Sequence, residues 1–420
     1  MSQPTKSFVL QVLPKAVGLN SQTAKRSISQ LALHSLQQEP QMTEKTLLGP
    51  GPTNMHPAVI EAMRWPIRGH MHPDFWQVMD DIRCGVGYVL ETESPLALAV
   101  SGPGHSAMEA AMVNLVEPGE TVLIARNGFW SLRAAITAAR SATANVREMS
   151  VPLGEVFTLE QIERGLIEHR PSVLFIVHGE SSTGVLQPLE GIAALCHQHN
   201  CLLIVDAVAS ICGAHVCMDA NDIDCVYAGS QKALGGPAGV APIAFGDRAW
   251  HKIMHRKTVV QSLLLDMNQL GNYWGCFAEP RRYHHTAPIQ LMYGLRAALG
   301  MVAREGLQNV VQRHHENGHL LEQGMNAIGL DYFVADKSKR MSTVATVCIP
   351  PGIDWQQVIK DMWNQYDIEI WGGMGETVGK IWRIGLMGNN SRPEIVNLVL
   401  HAFNDCLKQQ HETHGAQQHA

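Results

Sequence analysis

No run of eighteen or more apolar residues occurs in the 420-residue sequence, so no segment has the make-up of a membrane-spanning helix. Positive charge is not in excess either. Lys and Arg number 32 against 38 Asp and Glu, a formal charge of −6, which excludes the basic footprint of a nucleic-acid binder and makes a small molecule the expected partner. None of the nine cysteines stands in a C-x-x-C pair. Odd in number and set in apolar runs such as "CLLIVD", they read as reduced core thiols of an intracellular protein. The C-terminal "HGAQQHA" lacks a peroxisomal S-K-L-type ending.

Acid is missing from the first 38 residues, where Lys6, Lys15, Lys25 and Arg26 are spread among serines. That composition predicts a mitochondrial transit peptide over residues 1–40 and delivery to the matrix; the alternative is a docking arm on a cytosolic protein. A chain of this length exceeds the roughly 250–300 residues at which single cores stop growing. The expected division is a large domain over 41–305, a smaller α+β domain over 306–410 and a polar tail over 411–420.

From about residue 95 the chain alternates short apolar runs with helical patterns. "PLALAV" leads through "SGPGH" into "SAMEAAMVNLV", and "TVLIARN" leads into "WSLRAAITAAR". "SVLFIVHG", "CLLIVD", "DCVYAG" and "AGVAPIAFG" follow, each bounded by turn formers. Runs apolar on both faces suit a parallel sheet buried between helix layers, so the fold class is α/β with a mainly parallel sheet. Beyond residue 305, "TVATVCIP", "DIEIWGG" and "KIWRIGL" interleave with "WQQVIKDMWNQY" and "PEIVNLVLHAFNDCL", a smaller α+β pattern.

Ligands of such sheets bind beyond the carboxyl ends of the strands. Asp206 ends "CLLIVD", Lys232 follows "DCVYAG", the "SGPGH" turn joins a strand to a helix, and "HGESS" (178–182) closes another run. An anion cradle, an acid, a hydroxyl pair and an amine therefore meet at one sheet edge. That set points to a Schiff base between Lys232 and pyridoxal 5′-phosphate. The phosphate needs N–H groups at a helix N-terminus, where Gly102 and Gly104 permit close approach. The pyridine nitrogen needs a buried carboxylate, which Asp206 supplies.

Other readings compete for the same residues. Lys232 could be a solvated turn residue and Asp206 the cap of a following helix. "GPGHSA" also fits the dinucleotide pattern G-x-G-x-x-A of an NAD-binding oxidoreductase, but that pattern needs an acid closing the second strand, and this strand closes on Arg126 and Asn127. Paired histidines at 70/72, 197/199, 284/285 and 314/315 invite a metal, yet none has i, i+4 spacing with an acid, so no metal is expected. The pair most worth following is His70 and His72.

The motifs "LLGPGPTN", "HGESSTGVLQPL", "LLIVDAVAS", "GSQKAL", "RRYHHT" and "GKIWRIGL", spread from Leu47 to about Cys406, resemble the class V, fold-type I aminotransferases. The resemblance implies a fold-type I pyridoxal-phosphate transferase with a seven-stranded large-domain sheet, Lys232 as the catalytic lysine and Asp206 as partner of the ring nitrogen. It further implies Trp130 stacked on the ring, Ser181 and Gln231 as polar contacts, and Pro103, Gly104 and His105 as the phosphate loop. Tyr283 and Thr286 would reach the phosphate from a neighbouring subunit, making a homodimer with interfacial sites. Arg383 would hold the substrate carboxylate, beside a wall formed by Gly51, Thr53 and Asn54, with Ser181 facing substrate as well. Pro103 stands where the family often has serine, removing one donor worth about 1 kcal/mol. The implied reaction moves the amino group of alanine or serine to glyoxylate; 3-hydroxykynurenine or kynurenine is the rival donor. Gln231 replaces the histidine usual in cysteine desulfurases.

Overall fold

The apolar runs become the interior of one seven-stranded sheet in the computed structural model, which describes residues 36–418. The leader expected over 1–40 lies, as far as residue 35, outside the described residues. The strands are β1 (Ala97–Ser101), β2 (Thr121–Arg126), β3 (Asn145–Ser150), β4 (Val173–Val177), β5 (Leu202–Asp206), β6 (Cys225–Tyr227) and β7 (Val240–Phe245). Their order across the sheet is β1-β7-β6-β5-β4-β2-β3. Only β7 is reversed, pairing antiparallel with β1 and β6, so β1, β2, β4, β5 and β6 all deliver their carboxyl ends to one edge.

Every residue of β4 is buried, as a strand covered on both faces requires. At the sheet edge β3 differs: "NVREMS" is exposed at most positions, and so polar a strand is absent from the apolar runs of the sequence. The covering helices include α1 (Pro73–Leu90), α2 (Gly104–Leu115), α3 (Phe129–Ser141) and α4 (Ile289–Glu305). Fully buried side chains such as Phe75, Phe175, Tyr227 and Phe245 fill the first core, each contributing about 1.5–3 kcal/mol.

A second hydrophobic cluster, centred on Trp382, Met362 and Phe403, lies between α5 (Leu307–Ala327), α6 (Pro393–Gln418) and a three-stranded antiparallel sheet. Its strands are β8 (Val344–Cys348), β9 (Trp371–Gly372) and β10 (Ile381–Gly385), in the order β8-β10-β9. The segment read as a polar tail is helical as far as Gln418. Leu48 belongs to this second core, and Gly385 N donates to Leu48 O at 2.7 Å. The "GPGP" segment after Leu48 is thereby carried from β10 to the edge of the large sheet. Among the described residues no helix is long and apolar enough to cross a membrane.

Candidate active site

Lys232 follows β6 in a tight turn, with Gly235 N donating to Lys232 O and Gly236 N to Ser230 O, both at 2.8 Å. The side chain is 9% exposed, and its Nζ donates to Pro50 O. Gly51, at φ +98°, lies so close that a Cβ there would land on the lysine Cδ, Cε and Nζ. Glycine is thus required at Gly51 by both backbone and clearance. Burial, then the charge of Arg383, lowers the Lys232 pKa to about 8, against the opposite pull of Asp206. The solvated-turn reading of Lys232 is excluded by this burial.

Asp206 ends β5 fully enclosed. Its Oδ1 accepts from Val208 N at 2.8 Å and its Oδ2 from the Tyr227 hydroxyl at 2.6 Å. No helix follows, so the carboxylate closes a short turn and caps nothing. Burial raises its pKa to about 6 against the lowering effects of Tyr227, Val208 and Lys232. Tyr227 was not foreseen among the site residues. Its hydroxyl pKa is raised far above the ordinary value by burial and then by Asp206.

Trp130 enters from the first turn of α3. Its indole Nε1 donates to Ser181 Oγ at 2.8 Å, and its ring meets His105 edge-on at 5.5 Å. A second unforeseen residue, Glu180, organises this corner. Its carboxylate accepts from Trp130 N at 3.1 Å, Ser182 N at 3.0 Å and Ser182 Oγ at 2.6 Å, so it serves the open N-terminus of α3 from another strand end. Full burial raises its pKa to about 7 despite those bonds.

Pro103 precedes α2 and offers no side-chain cap, which leaves the first N–H groups of the helix without a partner from within it. Gly102, at φ +151°, and Gly104 bring that terminus into the cavity wall beside His105, whose pKa is lowered by burial and then by Arg133. The cavity between these elements has a volume of about 100 Å³. Pro103, Gly104, His105, Trp130, Ser181, Asp206, Gln231 and Lys232 all line it, together with Tyr227 and the apolar Met108, Val208 and Ala209.

The remaining expected residues sit elsewhere. Arg383 is 4% exposed on β10, and its Nε donates to Gly372 O at 2.8 Å. Among the described residues it forms no ion pair. The carboxylate of Glu369, on the neighbouring chain segment, accepts from Trp371 Nε1 at 2.7 Å and does not pair with Arg383. Burial lowers the Arg383 pKa to about 10, with Glu180 pulling it upward. Thr53 donates to Met387 O at 2.8 Å. Asn54 does not turn its amide to the cavity: Oδ1 accepts from Leu47 N and Asn390 Nδ2, and Nδ2 donates to Lys45 O, at 2.7–2.9 Å. Its place in the substrate wall is therefore structural, pinning the "GPGP" segment. Tyr283 and Thr286 are exposed and take no part in the cavity of their own chain. His72 caps α1 through Nδ1, at 3.2 Å from Asp74 N, and His70 packs on Tyr283. One cluster of metal-binding types was not foreseen. Glu91, His215 and Cys217 approach within 4.8 Å, but both His215 ring nitrogens are engaged, by Glu91 and Gln308, at 2.9 Å.

A buried amine of lowered pKa, a buried carboxylate, an indole wall and an uncapped helix N-terminus around one cavity define a pyridoxal-phosphate site. The Gln231 Oε1 atom, buried without a hydrogen-bond partner, is the kind of vacancy a polar cofactor fills. The comparisons agree. The family model for class-V aminotransferases matches residues 47–398. The chain is 46% identical over 364 residues to the alanine–glyoxylate aminotransferase of Felis catus, covering 87% of this chain and 88% of that protein. It is 43% identical over 365 residues to the enzyme of that name from Drosophila melanogaster, covering 87% and 92%. The crystal structure of an alanine–glyoxylate aminotransferase from Nostoc superposes with a TM-score of 0.86 at 46% identity, covering 89% of this chain and 98% of that one. The chain belongs to the class-V aminotransferase family, whose cofactor is pyridoxal 5′-phosphate, and the dinucleotide reading of "GPGHSA" falls.

Proposed function

We propose that the protein transfers the amino group of L-alanine, or L-serine, to glyoxylate, releasing pyruvate or hydroxypyruvate and glycine. The observation that carries this reading is the buried Lys232 amine sharing one cavity with Asp206 and Trp130, in a chain whose relatives at 43–46% identity are named for alanine and glyoxylate. Glyoxylate recurs in the name of a more distant relative, the (S)-ureidoglycine–glyoxylate transaminase of Bacillus subtilis at 34% identity, so the acceptor has broader support than the donor.

Pyridoxal 5′-phosphate, when bound, supplies an aldehyde that exchanges amines and a ring that draws electrons from the substrate α-carbon. The α2 terminus at Gly104 and His105 would hold its phosphate, Trp130 its ring face and Asp206 its ring nitrogen. Lys232 releases the site to the incoming amine and then removes the proton at the donor's Cα. A pKa near 8 keeps a fraction of Nζ unprotonated at neutral pH, as a base requires. Arg383 grips the donor's carboxylate with the guanidinium nitrogens that Gly372 leaves unused. The same residues run the second half-reaction with glyoxylate.

The reading extends to a homodimer in which Tyr283 and Thr286 complete the partner's phosphate site, supported by their exposure and by neither lining the cavity of its own chain. It also places the protein in mitochondria, on the acid-free composition of the leader. N-terminal sequencing of protein from isolated mitochondria checks this, with a start near residue 40 expected and full-length cytosolic protein overturning it.

A matrix of donors (alanine, serine, 3-hydroxykynurenine) against glyoxylate and pyruvate, with Lys232→Ala as blank, tests the reaction. Alanine or serine with glyoxylate should dominate. A larger rate with the aromatic donor would replace the proposed substrate, and a colourless protein that takes up no pyridoxal phosphate would sink the whole reading.

A further inference from the structure

The His314–His315 pair lies on α5, outside the cavity. His314 is fully buried, its Nδ1 2.7 Å from Val310 O and its Nε2 3.0 Å from Gly388 N. Both partners are backbone groups, so the ring proton is assigned. A carbonyl only accepts and an N–H only donates, which puts the proton on Nδ1 and a lone pair on Nε2. Burial lowers the pKa to about 4, in keeping with a ring that stays neutral.

Gly388 is held on both sides of its residue. Its N–H meets His314, and its carbonyl accepts from Arg313 Nη1 at 3.0 Å; Arg313 is fixed in turn by Glu305 at 2.6 and 3.1 Å. Gly388 lies directly on the turn that carries Lys232. A Cβ on Gly388 would come within 3.2 Å of Gly235 Cα and 3.3 Å of Ala233 O. Thr53 closes the clasp from the other end, joining Met387 O through its hydroxyl and Gln231 O through its N–H at 3.1 Å. Behind the turn the packing is incomplete, although Ala233 and Leu234 themselves belong to the first core. A cavity of about 220 Å³ opens there, lined by Ala233, Leu234, Gly235, Val310 and Gly388. The placement of the turn thus rests on the Gly388 contact together with the packing of Ala233 and Leu234.

We propose that His314 is a positioning residue for Lys232: by accepting the Gly388 N–H it holds Gly388 against the Ala233–Gly235 backbone and fixes where the catalytic amine stands. The inference rests on the transaminase reading and adds to it a residue on α5, a helix that contributes to both cores, that governs the amine.

The test compares His314→Phe, which keeps a ring but no acceptor, with His314→Gln, whose amide oxygen can take the Nε2 position. Three quantities are read on the pyridoxal-phosphate-loaded protein: kcat and KM for alanine with glyoxylate, the midpoint of the visible absorbance change with pH, and Tm. His314→Phe should lower kcat about tenfold or more with the alanine KM within about twofold, as expected for a misplaced catalytic group, and should move the absorbance midpoint. His314→Gln should restore both. A His314→Phe protein with only a lower Tm, or a His314→Gln protein as impaired as it, overturns the proposal. If His314→Phe does not fold, Arg313→Lys decides, since it frees the same glycine from its carbonyl side; unchanged kcat and midpoint there also overturn it. An inactive, colourless wild type would instead sink the transaminase reading, and this inference with it.

Discussion

The Tyr227 hydroxyl donates to Asp206 Oδ2 at 2.6 Å across neighbouring strands, and the β-ladder puts the two residues side by side. The bond is one of the forces opposing the burial that raises the Asp206 pKa to about 6. Removing it in Tyr227→Phe lets burial push the carboxyl higher, so less of it is ionised near neutral pH. A protonated carboxyl does not balance a protonated ring nitrogen. Loss of one charge-assisted bond, about 1.5 kcal/mol, corresponds to roughly tenfold weaker pyridoxal-phosphate binding. The acid limb of the binding curve should also move to higher pH. Quenching of protein fluorescence across pH measures both, and superimposable curves for variant and wild type would remove this role.

Glu180 gives a stability prediction for the cofactor-free protein. Its pKa in the folded chain, about 7, lies above its ordinary value of 4.5, so the native state favours the protonated form. The stability this confers is present below pH 4.5 and is lost as pH rises through 7. Glu180→Gln cannot ionise. The Tm of the variant minus that of the wild type should therefore be more positive at pH 8 than at pH 5, the underlying change in unfolding free energy being at most about 3 kcal/mol. His178, His285 and His314, held near 4 by burial, act with the opposite sign below 6.5, but they are common to both proteins and cancel. A pH-independent Tm difference would show that the carboxyl is not held protonated.

What was legible in the sequence follows from the same geometry. Parallel strands covered on both faces are apolar throughout, so Asp206 and Lys232 stand out at their ends, and Gly102 and Gly104 mark a turn into a helix. The polar edge strand Asn145–Ser150 carries no such signal. Tyr227 reads as one more aromatic of a buried strand; its role exists only once β5 and β6 pair. Glu180 lies in a quoted motif, yet its partner Trp130 N is 50 residues away. Asn54 looked like a wall residue because its motif adjoins the site, whereas its amide is claimed by Asn390, 336 residues downstream. Long-range hydrogen bonds decide these cases, and a local pattern does not contain them.

Arg383 holds a buried charge with one backbone acceptor and no acid partner among the described residues, an arrangement that waits for an anion. Arg383→Ala should raise the KM for the amino donor roughly 100-fold, as for truncation of one partner of a buried charge pair. The visible absorbance of the loaded protein should be nearly unchanged. Arg383→Lys should recover only part of the loss, because an ammonium cannot present two parallel donors to a carboxylate. Steady-state kinetics with parallel spectra check this; a lost chromophore with intact KM would assign Arg383 to the cofactor instead.

The exposed Tyr283 and Thr286 give a test that needs two copies of the chain. If they serve the partner's site, a double variant Tyr283→Ala/Thr286→Ala damages the site of the other subunit, while Lys232→Ala damages its own. Each homodimer is then impaired at both sites. In a mixed dimer, the intact Lys232 belongs to the subunit carrying the altered arm, and it faces the intact arm of its partner. One of the two sites is whole. Unfolding and refolding the two variants together in equal amounts should yield mixed dimers as half of the total, and so about a quarter of wild-type activity for a closed two-fold assembly. Activity no greater than the average of the two homodimers, with light scattering still reporting dimers, would place both residues outside the neighbouring site.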